Sequence, residues 1–143
     1  MALADRLRSL QPTTVLSPAL GGVIIGHEVG RAFGVRALFA ERQDGALTLR
    51  RGFSLGETDR VLVVEDVMTT GGSTRETMQV ARAAGAQVVG AASIVDRGQP
   101  DSSRQSDLGV PFATLLQINL PTYEPDKCPL CAQGLPAMKP GSR

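Results

Sequence analysis

At 143 residues the chain has the length of one domain, and 42% hydrophobic residues with both charge signs interspersed exclude a disordered segment. Fifteen basic against fourteen acidic residues leave a formal charge of +1, which with one tyrosine, four phenylalanines and no tryptophan gives no electrostatic or stacking footprint for nucleic acid. No apolar run approaches the roughly 18 residues that span a bilayer, and the charged, amphipathic start MALADRLRSL is no secretory signal, so a cytoplasmic location is expected.

In chain order, Leu3, Leu7 and Leu10 fall at helical spacing among charged residues and predict a surface helix ended by Pro12. Thr13 to Ser17 predicts a short strand, stopped by Pro18 and followed by Gly21-Gly22. A helix is expected from about Val23 to Phe33, closed by Gly34, and a second strand from Arg36 to Glu41. Arg60 to Val64 is continuously apolar after its first residue and β-branched, the pattern of a strand buried on both faces. The next helix runs from about Ser73 to Ala84, with Ser73 and Glu76 spaced as a capping box and Gly85 as its stop. Strands follow at Val88 to Val95 and Phe112 to Ile118. The residues from 121 to 143 are rich in proline and glycine and predict an irregular tail. Alternating strands and helices give an α/β, doubly wound, mostly parallel five-stranded sheet with helices on both faces, in a single domain. In such sheets ligands bind beyond the carboxyl ends of the strands, so the loops after the first and third predicted strands are where chemistry is expected.

The third predicted strand ends in Glu65-Asp66, and Val67-Met68-Thr69-Thr70-Gly71-Gly72-Ser73-Thr74 opens a helix. Glycines let successive N–H groups converge, the helix N-terminus adds unpaired donors, and the hydroxyls add more. The combination is an anion cradle sized for a phosphate monoester. It is neither a P-loop, since no lysine precedes Lys127, nor a dinucleotide fingerprint, since Gly21, Gly22 and Gly26 lack that spacing. Two carboxylates beside a phosphate make sense if the phosphate belongs to a sugar. They accept from vicinal ribose hydroxyls and oppose the oxocarbenium cation formed when the anomeric substituent leaves. A plain helix cap beside solvated acids is the alternative.

VLVVEDVMTTGGST resembles the phosphoribosyl-diphosphate (PRPP) signature of type I phosphoribosyltransferases. SPALGGVIIGHEVG, FAERQDGALTLRRGF, IVDRG and PTYEPDKCPLC extend the resemblance, across essentially the whole chain, to the orotate phosphoribosyltransferase family. The resemblance implies transfer of a phosphoribosyl group from PRPP to orotate in pyrimidine nucleotide synthesis, with Mg2+ as cofactor held mainly by substrate and water rather than by protein ligands. Glu65 and Asp66 would hold the ribose hydroxyls, Thr69, Thr70, Gly71, Gly72, Ser73 and Thr74 the 5-phosphate, and Arg97 the orotate carboxylate. Small residues in Ser17, Pro18, Ala19, Leu20, Gly21 and Gly22 let a backbone meet a diphosphate closely; in the family this loop takes the pyrophosphate, often through a non-proline cis peptide. Members often carry lysine where Gly21 stands.

Residues 42–54 alternate like a β-ribbon or mobile flap. By resemblance this is the catalytic loop, closing over the neighbouring subunit's site in a homodimer. Its usual lysines and histidine are missing, so Arg42, Arg50 and Arg51 are the cations available, with electrostatic roles only because arginine does not readily give up its proton. The family's N-terminal hood over the base is missing from the sequence, which makes PRPP binding better supported than orotate specificity. Transfer to another base, or a non-catalytic PRPP-sensing regulator, are the competing readings. His27 reads as a structural histidine. Cys128 and Cys131 read as reduced, packed thiols, with an intersubunit metal or a disulfide as alternatives.

Overall fold

The computed structural model describes residues 2–98, 104–121 and 123–135. Met1, Thr122 and residues 136–143 of the predicted tail therefore lie outside the described residues. In chain order the elements are α1 (Ala2–Arg6), β1 (Thr14–Pro18), α2 (Gly22–Phe33), β2 (Arg36–Gln43), β3 (Ala46–Leu49), β4 (Arg60–Met68), α3 (Gly72–Ala83), β5 (Gln87–Asp96), α4 (Arg104–Leu108) and β6 (Phe112–Gln117), with single 3-10 turns at Arg8–Leu10, Pro125–Lys127 and Cys131–Gln133. The strands form one sheet in the order β3-β2-β1-β4-β5-β6. All neighbours are parallel except β2 and β3.

The sheet has six strands where the sequence predicted five. The extra one is β3, inside the predicted ribbon, and Arg42 pairs with Leu47 and Gln43 with Ala46 across a two-residue tip. Asp44 and Gly45 at that tip both have positive φ, 51° and 86°, the backbone whose twist matches a two-residue hairpin. A second tight turn, at Arg51 (φ 57°) and Gly52 (φ 74°), is closed by the Phe53 N–H donating to the Arg50 carbonyl at 2.9 Å. The helix α4 was also absent from the sequence reading.

β4 shows why this fold forms. Val61 and Val63 join one apolar cluster with Met78, Ala81 and Leu108, so α3 and α4 cover that face. Leu62 and Val64 join the other with Leu3, Leu7, Ile25 and Val29, so α1 and α2 cover the opposite face. Every residue from Val61 to Val64 is wholly buried, as a continuously apolar central strand requires.

α2 lies unusually close to β1 because glycines recur every fourth residue on its inner side. A methyl group at Gly26 would stand 2.1 Å from Ser17 Oγ, one at Gly22 3.1 Å from Ser17 Cβ, and one at Gly30 2.9 Å from Ala37 Cβ. Gly26→Ala is therefore expected to cost about 1–3 kcal/mol through overpacking, read as a lower urea midpoint. Gly56→Ala, where nothing lies within 4 Å of the added carbon, should leave the midpoint unchanged.

Candidate active site

The carboxyl edge of β4 opens into a cleft of about 380 Å³ lined by Arg42, Glu65, Val67, Thr69, Thr70, Gly71, Gly72, Ser73 and Glu76. The loop turns into α3 through Gly71, whose φ of 77° is left-handed and whose carbonyl accepts the first helical bond, from Arg75 N–H at 2.9 Å. The predicted capping box does not form. Because Gly71 starts the helix early, Ser73 is already inside it and caps nothing, which frees Glu76 for another partner. Arg75 also donates to the Thr70 carbonyl at 2.9 Å and holds the loop's far side.

Of the residues predicted to bind phosphate, Thr69 to Ser73 line the cleft and Thr74 does not. Thr74 is wholly buried, and its hydroxyl donates to Glu65 Oε2 at 2.6 Å. Its role is to fix Glu65. Burial raises the Glu65 carboxyl above the ordinary glutamate value, the Thr74 bond opposes this, and the neighbouring Asp66 charge adds to it. Asp66 accepts the Val67 N–H at 2.8 Å and its carboxylate lies against the β1–α2 loop, where a methyl group on Gly21 would come within 2.4 Å of Oδ2. A side chain at Gly21 would therefore require the Asp66 carboxylate to shift.

Within the β1–α2 loop the Ala19–Leu20 peptide is cis, Leu20 is 87% exposed, and the Ala19 N–H donates to the Ala40 carbonyl at 2.8 Å. Pro18 is the last residue of β1, Gly21 precedes α2, and Gly22 is buried under Val64. Ser17 is wholly buried, its hydroxyl set against Gly26, so its side chain packs the helix and does not face the cleft.

The three arginines of the ribbon have separate fates. Arg42 lines the cleft and forms a two-point pair with Glu76, Nη2 to Oε2 at 2.7 Å and Nη1 to Oε1 at 3.1 Å. Glu76 also accepts the Leu47 N–H at 2.8 Å, so one carboxylate ties the hairpin to the helix behind the anion loop. The Leu47 amide and then Arg42 hold Glu76 below the ordinary carboxylate value. Arg51 is engaged elsewhere, donating to both oxygens of Glu41 at 2.7 and 2.8 Å and lying over the Phe39 ring. Arg50 is exposed just beyond β3.

Arg97 is exposed at the end of β5, on the same edge as the cleft, with its N–H donating to the Met68 carbonyl at 2.8 Å. The preceding Asp96 is paired with Arg104, a residue sequence reasoning missed. Both are buried, at 1% and 9% exposure. Arg104 reaches Asp96 at 2.9 Å and donates to the Thr69 carbonyl, and Asp96 accepts the Gly98 N–H at 2.8 Å. This pair clamps the base of the anion loop to the end of β5. No sequence signal marked it, since Arg104 reads as a surface arginine in a polar segment. Glu76 carried a signal that was assigned to a cap.

A strand-to-helix anion loop, two adjoining carboxylates and a second small-residue loop on one parallel-sheet edge are the working parts of a sugar-phosphate transferase. The family profile described as a phosphoribosyl transferase domain matches residues 2–108, which include both loops. The chain belongs to the phosphoribosyltransferase family, a family of enzymes. Its relatives there are orotate phosphoribosyltransferases: that of Carboxydothermus hydrogenoformans is 51% identical over 99% of this chain and 73% of the relative. Those of Pelotomaculum thermopropionicum and Thermotoga maritima are 52% and 50% identical, again over 99% of this chain, covering 72% and 73% of the relative. Among solved structures, adenine phosphoribosyltransferase from Thermoanaerobacter pseudethanolicus matches with a TM-score of 0.65 at 16% identity, over 80% of this chain and 78% of that one. Orotate phosphoribosyltransferase from Aeropyrum pernix matches with 0.63 at 21%, over 80% and 69%. Both share the fold.

Two outcomes are expected from this geometry. Glu76→Ala removes the acceptor of the Leu47 amide, so exchange of that amide should accelerate about tenfold, the equivalent of one lost charged hydrogen bond, as read by hydrogen-exchange mass spectrometry. The second concerns Glu65. Because folding raises its pKa, the folded chain binds more protons through this group than the unfolded chain. That contribution is full below the unfolded value and is lost as pH rises through the folded one. Ionised Glu65 therefore costs stability in neutral solution, and Glu65→Gln should melt higher than the parent near pH 7, with the advantage shrinking toward about pH 4.

Proposed function

We propose that the chain catalyses the transfer of the phosphoribosyl group from PRPP to orotate, giving orotidine 5-phosphate and pyrophosphate. The observation that supports this reading is the seating of Glu65 and Asp66 between the β4–α3 loop and the β1–α2 loop, in a chain about half identical to orotate phosphoribosyltransferases over 99% of its length. The amides and hydroxyls of Thr69 to Ser73 hold the 5-phosphate, and the backbone from Ala19 to Gly22 meets the diphosphate. Glu65 and Asp66 accept from the ribose hydroxyls and oppose the positive charge that develops at the anomeric carbon as pyrophosphate leaves. Charge complementarity of this kind acts on the transition state more than on bound substrate. Arg97 meets the orotate carboxylate with its planar fork. Arg42, Arg50 and Arg51 supply positive charge toward pyrophosphate, Arg42 and Arg51 from guanidiniums that also pair with Glu76 and Glu41.

The reading includes Mg2+. Among the described residues no cluster of three or more metal-ligating side chains exists, while two adjacent carboxylates beside a diphosphate loop suit an ion that takes one or two carboxylates, substrate oxygens and water. When bound, Mg2+ would neutralise diphosphate charge and polarise the leaving group. The reading also carries a homodimer, with the 42–54 ribbon reaching the neighbouring site, and a cytoplasmic location. Among the described residues no helix is long and apolar enough to cross a membrane.

The test is turnover of orotate with PRPP and Mg2+ by the chain, alongside PRPP titration of the Glu65→Gln, Asp66→Asn double variant. The parent should consume orotate. The double amide should bind PRPP within about tenfold of the parent yet turn over at least a hundredfold more slowly, since one preorganised transition-state interaction is worth roughly 3–4 kcal/mol. Full turnover by the amide variant would overturn the assigned role of the acids. PRPP binding by a parent that consumes no orotate would instead indicate a different base or a sensor.

A further inference from the structure

Outside the cleft, one pair of reactive side chains has no part in the transfer. Cys128 and Cys131, the only cysteines of the sequence, bracket Pro129-Leu130, and both are free. The sequence favoured packed thiols. The structure instead leaves Cys131 exposed and Cys128 half-exposed, Cys128 in the link between the two 3-10 segments of the tail and Cys131 at the start of the second. The turn is closed by its own backbone: the Ala132 N–H donates to the Cys128 carbonyl at 3.0 Å and the Leu135 N–H to the Leu130 carbonyl at 3.2 Å. Inside it, the Cys131 N–H donates to Cys128 Sγ at 3.4 Å.

These contacts distinguish the two sulfurs. Cys128 receives the Cys131 amide proton, which favours its thiolate and lowers its pKa, whereas the neighbouring Cys128 sulfur raises that of Cys131, which accepts no such bond. An exposed C-x-x-C pair in which one sulfur accepts a backbone N–H and the other does not is set up for thiol–disulfide exchange. Ligand count points the same way. A closed zinc site needs four ligands, whereas the whole sequence holds two cysteines and one histidine, and no third metal-ligating side chain joins them among the described residues. Two sulfurs are half of a zinc site and all of a disulfide.

We propose that Cys128 and Cys131 form a reversible dithiol–disulfide couple, with Cys128 as the attacking thiolate and Cys131 as the resolving thiol. The thiolate of Cys128 attacks one sulfur of a small-molecule disulfide, forming a mixed disulfide and expelling one thiolate. Cys131 then loses its proton to solvent and attacks Cys128 Sγ, expelling the second thiolate. Two electrons pass from the protein to the small disulfide, which is reduced to two thiols.

The experiment equilibrates the full chain in glutathione buffers of graded oxidised-to-reduced ratio, followed by acid quench, alkylation and peptide mass analysis. The expected product has lost two hydrogens, carries a bond between Cys128 and Cys131 in one chain, and returns to the dithiol when the ratio is reversed. With glutathione disulfide, Cys131→Ser should accumulate a mixed disulfide on Cys128, at least severalfold faster than Cys128→Ser forms one on Cys131. Zinc retained at one ion per two chains and blocking oxidation would overturn the proposal in favour of an intersubunit metal. Disulfide bonds only between chains, equal rates for the two single variants, or thiols that stay reduced at every ratio would each overturn it as well.

Discussion

Three missing methyl groups along one side of α2 govern the geometry of the whole carboxyl edge. With glycine at positions 22, 26 and 30 the helix rests on the backbone of β1 and β2, close enough that an ordinary Cβ would overlap Ser17 or Ala37. That approach sets the height at which α2 begins, and so brings Gly21 against the Asp66 carboxylate of the neighbouring strand. The loop after β1 and the loop after β4 thereby share one site. Arg42, paired with Glu76, brings the hairpin to the rim of the same cleft.

Four acids lie near this edge, and their partners divide them into two kinds. Asp96 and Glu76 are each bound by an arginine, the first fully buried and the second at the rim. They tie the anion loop to β5 and the hairpin to α3, and their charge is balanced. Glu65 and Asp66 have no arginine partner among the described residues; Thr74 fixes the first and the Val67 amide the second. Their charge is oriented but not neutralised. A buried Glu65 without a cation is costly to the folded chain, and such a group becomes favourable where positive charge arises during a reaction, as in the proposed transfer.

Most of this was legible in the sequence because the signals were local. The apolar run from Val61 to Val64, the glycine stops at Gly34 and Gly85, and the acids followed by T-T-G-G-S-T each act through neighbours a few residues away. What escaped depended on distance. Arg104 finds Asp96 and the Thr69 carbonyl across the fold, and its surrounding sequence gives no reason to expect burial. Thr74 and Ser73 are adjacent hydroxyls in one motif, yet only the helical turn decides that one faces Glu65 and the other the cleft. Glu76 had the spacing of a cap, and a left-handed Gly71 made the cap unnecessary. Asp44-Gly45 was a readable hairpin signal, subsumed in a ribbon whose sheet membership depends on β2.

The strand order has a consequence for how the cleft comes into being. β1 lies between β2 and β4, and its parallel pairing with β4 joins segments such as Thr13 and Arg60, which are 47 positions apart. Parallel neighbours cannot meet through a tight turn, so the chain must close long loops before this pairing returns any free energy. The complete edge does not exist in a partial structure: a chain folded through β3 would hold the β1–α2 loop without the acids of β4. The cleft between these loops therefore forms only when β4 and α3 dock beside β1.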